Sequence, residues 1–142
     1  MKKILLCSLL LSSIALGAQL KDGKYTVRTD KSIWFWYPYT AMVVKNGEIV
    51  STYHDRIKLD GRKASEDESY NKNMYKKVKI NPEMYSKLIP EDFFKNGKDL
   101  NKMDGISGAT DSLNHFKSQM KFLIEKSETE GPGNYIMKKS EL

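Results

Sequence analysis

Seven residues in the C-terminal half of the chain combine small side chains with hydroxyl groups. Residues 104–110 read Asp-Gly-Ile-Ser-Gly-Ala-Thr and directly precede a helical pattern. Glycine and alanine let backbone N–H groups approach an anion closely, because no bulky side chain blocks the way. The N-terminus of the following helix adds the positive end of its dipole. We therefore predict a phosphate site here, where the Thr110 hydroxyl caps the helix, contacts the phosphate or is esterified to it.

Three polar side chains near Thr110 each have two interpretations from the sequence. Ser107 either bonds to the phosphate or only tightens the loop. Ser112 either satisfies N–H groups of the first helical turn or contacts the phosphate. His115 faces either the bound group or water.

Residues 1–18 are predicted to be a secretory signal peptide. Lys2 and Lys3 precede an apolar stretch over residues 4–14, and small residues follow it up to Ala18. The apolar stretch is shorter than the ~20 residues of a membrane-spanning helix. We therefore expect a periplasmic or secreted protein whose mature chain has no transmembrane segment.

The mature chain offers few groups for metal or thiol chemistry. The only cysteine, Cys7, lies within the predicted signal peptide, which excludes disulfides, thiolate catalysis and cysteine-bound iron–sulfur clusters from the mature chain. His54 and His115 are about sixty positions apart, without the spacing of a metal site. The sequence therefore does not favour metal chemistry as the main function.

Charge and length indicate one domain that does not bind nucleic acid. Removing 18 residues from 142 leaves about 124, a common size for one domain. Losing Lys2 and Lys3 lowers the formal charge from +6 to +4, and the remaining lysines are spread among acidic residues. No basic stripe typical of nucleic-acid binding is present.

The first half of the mature chain is predicted to form strands. Residues 24–29 alternate apolar and polar side chains. Residues 33–39 are an aromatic run, which Pro38 identifies as an edge, a bend or a loop rather than a central strand. Residues 40–53 predict a β-hairpin with its turn at Asn46-Gly47, continuing toward Ile57.

The second half is predicted to be helical. Ser65 and Glu68 are spaced as a capping box before a helix with Tyr70, Met74 and Val78 on one face. A second helix begins at Pro82, with Met84 and Leu88 inward and Tyr85 as a further inward candidate. A third helix or turn begins at Pro90 and ends at Asn96-Gly97. Residues 111–126 form the last helix, whose spacing predicts these inward residues: Leu113, Phe116, Met120, Leu123 and Ile124. Residues 129–142 are polar, contain Gly-Pro-Gly and are expected to be a loose tail.

Residues 104–110 resemble the flavinylation motif of the FMN-binding domain family, which is Asp, two variable residues, Ser or Thr, then Gly-Ala-Thr. Asp104, Ser107, Gly108, Ala109 and Thr110 match every fixed position. The family includes the C and G subunits of sodium-pumping NADH:quinone oxidoreductase and of Rnf complexes, and small exported flavoproteins.

Three further segments resemble small exported members of this family. They are Asp-Gly-Lys-Tyr at residues 22–25, the hairpin at residues 44–49, and a middle segment at residues 60–74 that runs from Asp-Gly to Ser-Glu-Asp and Met. The resemblance therefore extends over most of residues 22–126, and implies an FMN-binding domain over residues 19–128.

The resemblance implies that FMN is joined covalently, through its phosphate, to the Thr110 hydroxyl by an exported flavin transferase. Asp104 then either positions a metal or proton acceptor of the transferase or only forms the turn with Gly105. The flavin ring needs an apolar surface, for which the candidates are Trp34, Trp36, Tyr37 and Tyr39, with Trp36 placed in the predicted site. Packing within the sheet is the alternative for each of them, and Met103 is a further candidate beside the loop.

The sequence therefore predicts an α+β fold, in which a small antiparallel sheet from the N-terminal half packs against helices. The phosphate-binding loop lies at the N-terminus of the last helix. The implied function is electron transfer with a membrane or extracytoplasmic redox partner, as a carrier rather than a stand-alone catalyst. The alternatives are a non-redox exported binding or surface protein that retains the fold, and a small flavin-dependent reductase.

Overall fold

The computed structural model describes residues 19–142, so the predicted signal peptide lies outside the described residues. Four strands form one sheet: β1 (Gly23–Thr29), β2 (Tyr37–Lys45), β3 (Glu48–Ile57) and β4 (Gly133–Met137). They lie side by side in the order β3-β2-β1-β4. The α-helices are α1 (Glu68–Val78), α2 (Pro82–Lys95) and α3 (Thr110–Thr129). Short 3-10 helices cover Ala64–Glu66, Leu100–Lys102 and Lys139–Glu141. This arrangement confirms the predicted α+β class.

The hairpin between β2 and β3 is confirmed. Asn46 and Gly47 have φ angles of 54° and 78°, the left-handed pair that a two-residue hairpin turn requires. The Asp22 carboxylate accepts from the backbone N–H groups of both residues at 2.9 Å. These bonds hold the pKa of Asp22 below its usual value. The second strand continues to Ile57 as predicted.

The aromatic run divides into a turn and the start of a strand. Trp34 and Phe35 occupy the tip of the turn, with φ angles of 51° and 73°. The expectation of an edge or loop is wrong for Pro38, which lies within β2, a central strand of the sheet. Proline is tolerated there because the pairing of β2 with β1 ends at Tyr39, so that Pro38 lies opposite Arg56 of β3 only.

Helices α2 and α3 pack against one face of the sheet, with α2 mainly on β3 and α3 mainly on β2. Burying each large apolar side chain between these layers contributes about 1.5–3 kcal/mol relative to exposure. The largest apolar side chains with no exposed surface are Tyr25, Met42, Tyr85, Ile89, Phe93, Phe116, Met120 and Leu123. Among residues 19–142, no helix is both long enough and apolar enough to cross a bilayer.

The predicted capping box at α1 is wrong. The N-cap is Asp67, whose carboxylate accepts from the backbone N–H of Tyr70 at 2.9 Å. Ser65 lies in the preceding 3-10 helix and donates its hydroxyl to the Asp55 carboxylate. Of the predicted inward face, Val78 is 44% exposed. The residue that caps α1 therefore lies two positions later in the chain than predicted.

A single helix replaces the two short ones predicted around Pro90. α2 begins with Pro82 at its N-terminus, where a missing N–H costs nothing, and continues through Pro90 to Lys95. Its inward residues include Tyr85, whereas Leu88 is 38% exposed. The inward prediction is therefore wrong for Leu88. The predicted end at Asn96 is confirmed.

The expectation of a loose tail over residues 129–142 is wrong. Gly131 (φ 102°) ends α3 by donating its N–H to the Lys126 carbonyl at 2.9 Å. β4 then pairs in parallel with β1, so the sheet is mixed rather than purely antiparallel. Met137 of β4 is 4% exposed and belongs to the core. A parallel partner more than a hundred positions away leaves no local sequence signal.

Candidate functional site

A cleft of about 550 Å³ opens at the N-terminus of α3. Ligand pockets in proteins span roughly 300–1,000 Å³, so this cleft is large enough for a small molecule. Its walls come from the turn before β2, the end of β3, α1, and the loop and first turns of α3. The lining residues are Ile33, Trp34, Arg56, Met74, Gly108, Ala109, Thr110, Asp111, Ser112 and His115.

The loop before α3 has a shape that depends on glycine. The backbone N–H of Ala109 donates to the Ile106 carbonyl at 2.9 Å and closes a tight turn. Gly108 has a φ of 83°, and a Cβ at this position would lie 2.9 Å from the Val78 carbonyl oxygen and from the Ile80 side chain. Only glycine fits both the left-handed backbone and this close approach.

Thr110 is the first residue of α3, and its side chain is exposed. The N-cap, Ala109, has no side-chain oxygen that could accept from the helix N–H groups. The first intrahelical bond of α3 runs from the Leu113 N–H to the Ala109 carbonyl at 3.0 Å. The earlier N–H groups and the positive dipole end are therefore directed at the cleft, beside the Thr110 hydroxyl.

Arg56 crosses from the end of β3 toward the same helix terminus. Its Nη1 donates to the Tyr70 hydroxyl at 3.3 Å, and its Nη2 donates to Ser112 Oγ at 3.5 Å. Its Nε is buried and has no hydrogen-bond partner. Ser112, for which capping and phosphate contact were both predicted, is 2% exposed and lies at the cleft wall.

The Arg56 charge is not compensated by a carboxylate. Within residues 19–142, the side-chain ion pairs join Arg62 to Asp60 and Lys126 to Glu130. A half-buried guanidinium that contacts only neutral hydroxyl groups keeps most of its positive charge available. This charge is the main electrostatic feature of the cleft.

The backbone of Arg56 is held by the neighbouring carboxylate. Asp55 is fully buried and accepts from the backbone N–H groups of Arg56 at 2.7 Å and Ser65 at 3.2 Å. The hydroxyl groups of Ser65 and Tyr53 also donate to it. Burial and the Asp55 charge raise the pKa of Tyr53. Both carboxylate oxygens of Asp55 thus accept hydrogen bonds from within the protein, and these bonds fix the end of β3.

His115 forms part of the cleft wall and is neutral at pH 7. Burial and the nearby Arg56 charge lower the pKa of His115 to about 4, although Asp111 opposes the shift. Its Nδ1 is buried without a hydrogen-bond partner. His115 therefore lies close enough to Thr110 to line the same cleft.

His54 belongs to a separate buried network behind the site. The Gln119 amide nitrogen donates to the Pro38 carbonyl, and this fixes the orientation of the Gln119 side chain. Its oxygen therefore faces Thr40 and accepts from the Thr40 hydroxyl at 2.7 Å. The Thr40 oxygen must then accept from His54 Nδ1, 2.8 Å away, so the proton lies on Nδ1. Burial, with the nearby His115 and Arg56, lowers the pKa of His54 to about 3.

One of the four predicted aromatic candidates lines the cleft. Trp34 does so and is 81% exposed. Trp36, placed in the site from the sequence, lies outside the cleft and is 6% exposed. Its ring packs edge-on against Tyr70 with centroids 5.7 Å apart, under Lys58 Nζ at 4.4 Å.

The other two aromatic candidates pack within the sheet. The Tyr37 ring lies under the Arg28 guanidinium at 5.3 Å. The Tyr39 ring packs against Tyr53 with centroids 6.3 Å apart. Sheet packing, the alternative from the sequence, therefore describes both residues.

The residues predicted for the phosphate site separate into two groups. Gly108, Ala109, Thr110 and Ser112 all line the cleft. Asp104 and Ser107 are exposed in the preceding loop and do not line it. Met103 is 3% exposed and belongs to the core, so it does not offer a surface to a ring.

Arg56 and Met74 line the cleft and were missed by the sequence analysis as site residues. Arg56 ends an alternating strand and looks like an ordinary exposed cation, and Met74 follows the apolar pattern of a helix. Neither has a spacing that links it to residues 104–110. Within residues 19–142, no group of three or more metal-ligating side chains is present.

Comparisons with known proteins give one fold relationship and no family. The chain matches no family model and no curated protein. It is similar to the crystal structure of the CPE2226 protein from Clostridium perfringens, with a TM-score of 0.75 and 25% sequence identity. The match covers 84% of this chain and 98% of the other.

Proposed function

We propose that this chain is an exported electron carrier that holds FMN covalently, through a phosphodiester bond to Thr110. The observation that carries the proposal is the placement of Thr110. Its hydroxyl is exposed at the first residue of a 20-residue helix, inside a cleft that also contains the uncompensated Arg56 charge. Export rests on the predicted signal peptide.

The chemistry of the cleft fits a phosphate group. Free N–H groups at a helix N-terminus stabilise a phosphate by about 0.3–1 kcal/mol when exposed, and more when partly buried. The Arg56 guanidinium and the Ser112 hydroxyl supply further donors on the same side.

The apolar lining residues of the cleft fit an aromatic ring system. Ile33, Trp34 and Met74 form an apolar surface within reach of the helix terminus. Aromatic and thioether side chains pack well on a flat conjugated ring. FMN combines such a ring with a terminal phosphate, and it would supply one- and two-electron transfer when bound.

Attachment requires a second protein. The bond from Thr110 Oγ to phosphorus forms, the hydroxyl proton passes to a base, and the bond from phosphorus to the leaving group of an activated flavin phosphate breaks. Threonine is a weak nucleophile at its normal pKa. His115 is neutral at pH 7 but lies in the cleft wall rather than in a hydrogen bond to Thr110. The base therefore comes from the exported flavin transferase.

Co-expression with a flavin transferase tests the attachment. We expect the wild-type protein to show flavin fluorescence in a denaturing gel and a mass increase of one FMN less one water. Thr110→Ala should abolish both. The matched control is Thr129→Ala at the other end of α3, an exposed threonine whose loss should leave the flavin in place.

Two results would contradict the proposal. Covalent flavin retained by Thr110→Ala would place the bond elsewhere. A wild-type protein without flavin, in cells where the transferase modifies another substrate, would favour the non-redox binding protein instead.

A further inference from the structure

The turn before β2 holds two exposed aromatic side chains in an unfavourable backbone conformation. Trp34 and Phe35 are 81% and 80% exposed, and both have left-handed φ angles, of 51° and 73°. Bulky residues disfavour this backbone, and a two-residue turn of this kind normally contains asparagine and glycine. Folding stability therefore does not explain why two large aromatic residues occupy the tip of the turn.

The surrounding residues hold this tip in place. Two backbone hydrogen bonds between Ile33 and Trp36, of 2.7 Å and 3.1 Å, close the turn. Lys58 Nζ donates to the Phe35 carbonyl at 2.6 Å. The Trp36 ring packs edge-on against Tyr70 of α1, with centroids 5.7 Å apart. The aromatic tip is therefore a fixed projection beside α1.

Helix α1 has a basic face that no carboxylate neutralises. Glu68 is the first residue of the helix, and residues 69–82 contain no aspartate or glutamate. Within residues 19–142, the side-chain ion pairs involve no residue of α1. Four exposed lysines lie in the helix or directly after it: Lys72, Lys76, Lys77 and Lys79.

The aromatic tip and the basic face border the same cleft. Trp34 and Met74 of α1 both line it, and Met74 also lines a shallow groove together with Lys77. Tyr75 is 46% exposed, and its ring lies under Lys79 Nζ at 5.6 Å. One region of the surface therefore combines exposed aromatic rings with lysines.

The acidic residues around this region lie at its borders. Glu66 and Glu68 are at the N-terminal end of α1, where Arg62 and Lys63 line the same groove and offset their charge. Asp111 lies inside the cleft, in the first turn of α3. The outward charge of α1 is therefore positive.

We propose that the aromatic tip and the basic face of α1 dock this protein on a membrane surface that contains anionic lipids. Trp34 and Phe35 enter the boundary between headgroups and hydrocarbon, where aromatic side chains are favoured. Each lysine near the anionic headgroups strengthens binding by about fivefold. This docking goes beyond the proposed function and does not depend on bound FMN.

A lipid surface fits these features better than a protein surface. Stable protein interfaces bury about 1,200–2,000 Å² in total and are depleted of lysine. Here lysines dominate the outward side of α1, and the aromatic pair projects beside them instead of lying at the centre of an apolar patch. A second copy of this chain would bring lysines against lysines.

Binding to lipid vesicles tests the proposal. The purified chain begins at residue 19, so that the apolar stretch over residues 4–14 does not contribute. We expect it to sediment with vesicles of phosphatidylglycerol and phosphatidylcholine, and to bind phosphatidylcholine vesicles at least about tenfold more weakly. Added salt should weaken the binding to anionic vesicles. Trp34 is the exposed one of two tryptophans, so the fluorescence emission should shift to shorter wavelength on binding.

Two variants test the two parts of the surface. Phe35→Asn removes an aromatic ring, and asparagine tolerates the left-handed backbone. It should bind anionic vesicles about 5- to 10-fold more weakly, although thermal unfolding should show equal or higher stability. Lys72→Gln combined with Lys76→Gln should weaken binding by about 10- to 30-fold and reduce its salt dependence.

The matched controls lie on other elements. Ile136→Asn removes an apolar side chain of β4 that is 57% exposed. Lys87→Gln combined with Lys95→Gln removes two exposed lysines of α2, each of which follows a glutamate by four positions. Both controls should bind anionic vesicles as the wild type does.

The proposal would be overturned by a wild-type protein that does not bind anionic vesicles, or that binds neutral vesicles equally well. Binding without a change in tryptophan emission would also overturn it, and this measurement decides the question even if a variant fails to fold. Controls that weaken binding as much as the test variants would show that the binding is not localised at this surface. Binding to soluble polyglutamate but not to vesicles would assign the basic face to an acidic protein instead.

Discussion

The two central side chains of the cleft differ in exposure, and this difference suits the separate roles proposed for them. Thr110 is exposed, so an external enzyme can reach its hydroxyl. Arg56 is half-buried, so its charge is less screened by water and acts more strongly on a bound anion. Ser112 lies between them at the cleft wall. The proposed attachment residue and the arginine charge thus line the same cleft.

The buried His54 should make stability depend on acid pH. The pKa of His54 falls from 6.5 to about 3 on folding, mainly because the ring is buried. The unfolded state therefore takes up a proton as pH falls below about 6.5, while the folded state stays neutral. By pH 4 this linkage should cost on the order of 3 kcal/mol of unfolding free energy.

Urea denaturation at pH 7 and pH 4 measures this effect. His54→Asn keeps a donor toward Thr40 but cannot take up a proton, so it should lose clearly less stability than the wild type between these pH values. His115, with its pKa lowered to about 4, adds a loss of similar size in both proteins, so it cancels in the comparison. An equal loss in the variant would show that His54 does not control acid stability.

The loop before α3 depends on one glycine. Gly108→Ala should be destabilising for two reasons, the left-handed φ of 83° and the 2.9 Å approach to the Val78 carbonyl and the Ile80 side chain. The left-handed backbone lowers the free energy of unfolding by about 1–2 kcal/mol. The close contact lowers it further, because the Val78 backbone must shift to make room for the added Cβ.

Gly61→Ala separates the two causes. Gly61 has a similar φ of 94°, but nothing lies within 4 Å of an added Cβ. Thermal unfolding should show a loss about 1 kcal/mol or more greater for Gly108→Ala than for Gly61→Ala. Equal losses would mean that the loop relaxes and that the close approach is not required.

Strand β4 makes the C-terminal segment a part of the core. Met137→Ala should cost about 2–3 kcal/mol of unfolding free energy, because its side chain is 4% exposed and packs in the core. Ile136 on the opposite face is 57% exposed, so Ile136→Ala should change stability by less than about 0.5 kcal/mol. Chemical denaturation of both variants measures the difference, and similar effects would argue against a buried β4.

Local elements could be predicted from the sequence where a few neighbouring residues determine them. The hairpin followed from Asn46-Gly47, and the last helix followed from the spacing of its apolar residues. β4 could not be predicted, since its parallel partner β1 is distant along the chain. The α1 cap was misplaced because Ser65 is engaged by Asp55, a tertiary contact that competes with local capping.

At the level of the whole molecule, the sheet and helices bring together residues that the sequence leaves unrelated. The motif placed Thr110 at a helix N-terminus. The structure adds Arg56 from β3, and it selects Trp34 from the four aromatic candidates. The misassigned Trp36 lies two residues after Trp34, across a tight turn, and faces the other side. Sequence reasoning could choose the residue types for a ring surface, but not which one faces the cleft.

The central claim is that Thr110 carries the flavin, and peptide mass spectrometry tests it most directly. After co-expression with the transferase, trypsin should release residues 103–117, which contain Ser107, Thr110 and Ser112. We predict that this peptide gains the mass of one FMN less one water, and that fragmentation assigns the gain to Thr110. Assignment to either serine, or an unmodified peptide from a preparation in which the transferase is active, would contradict the claim.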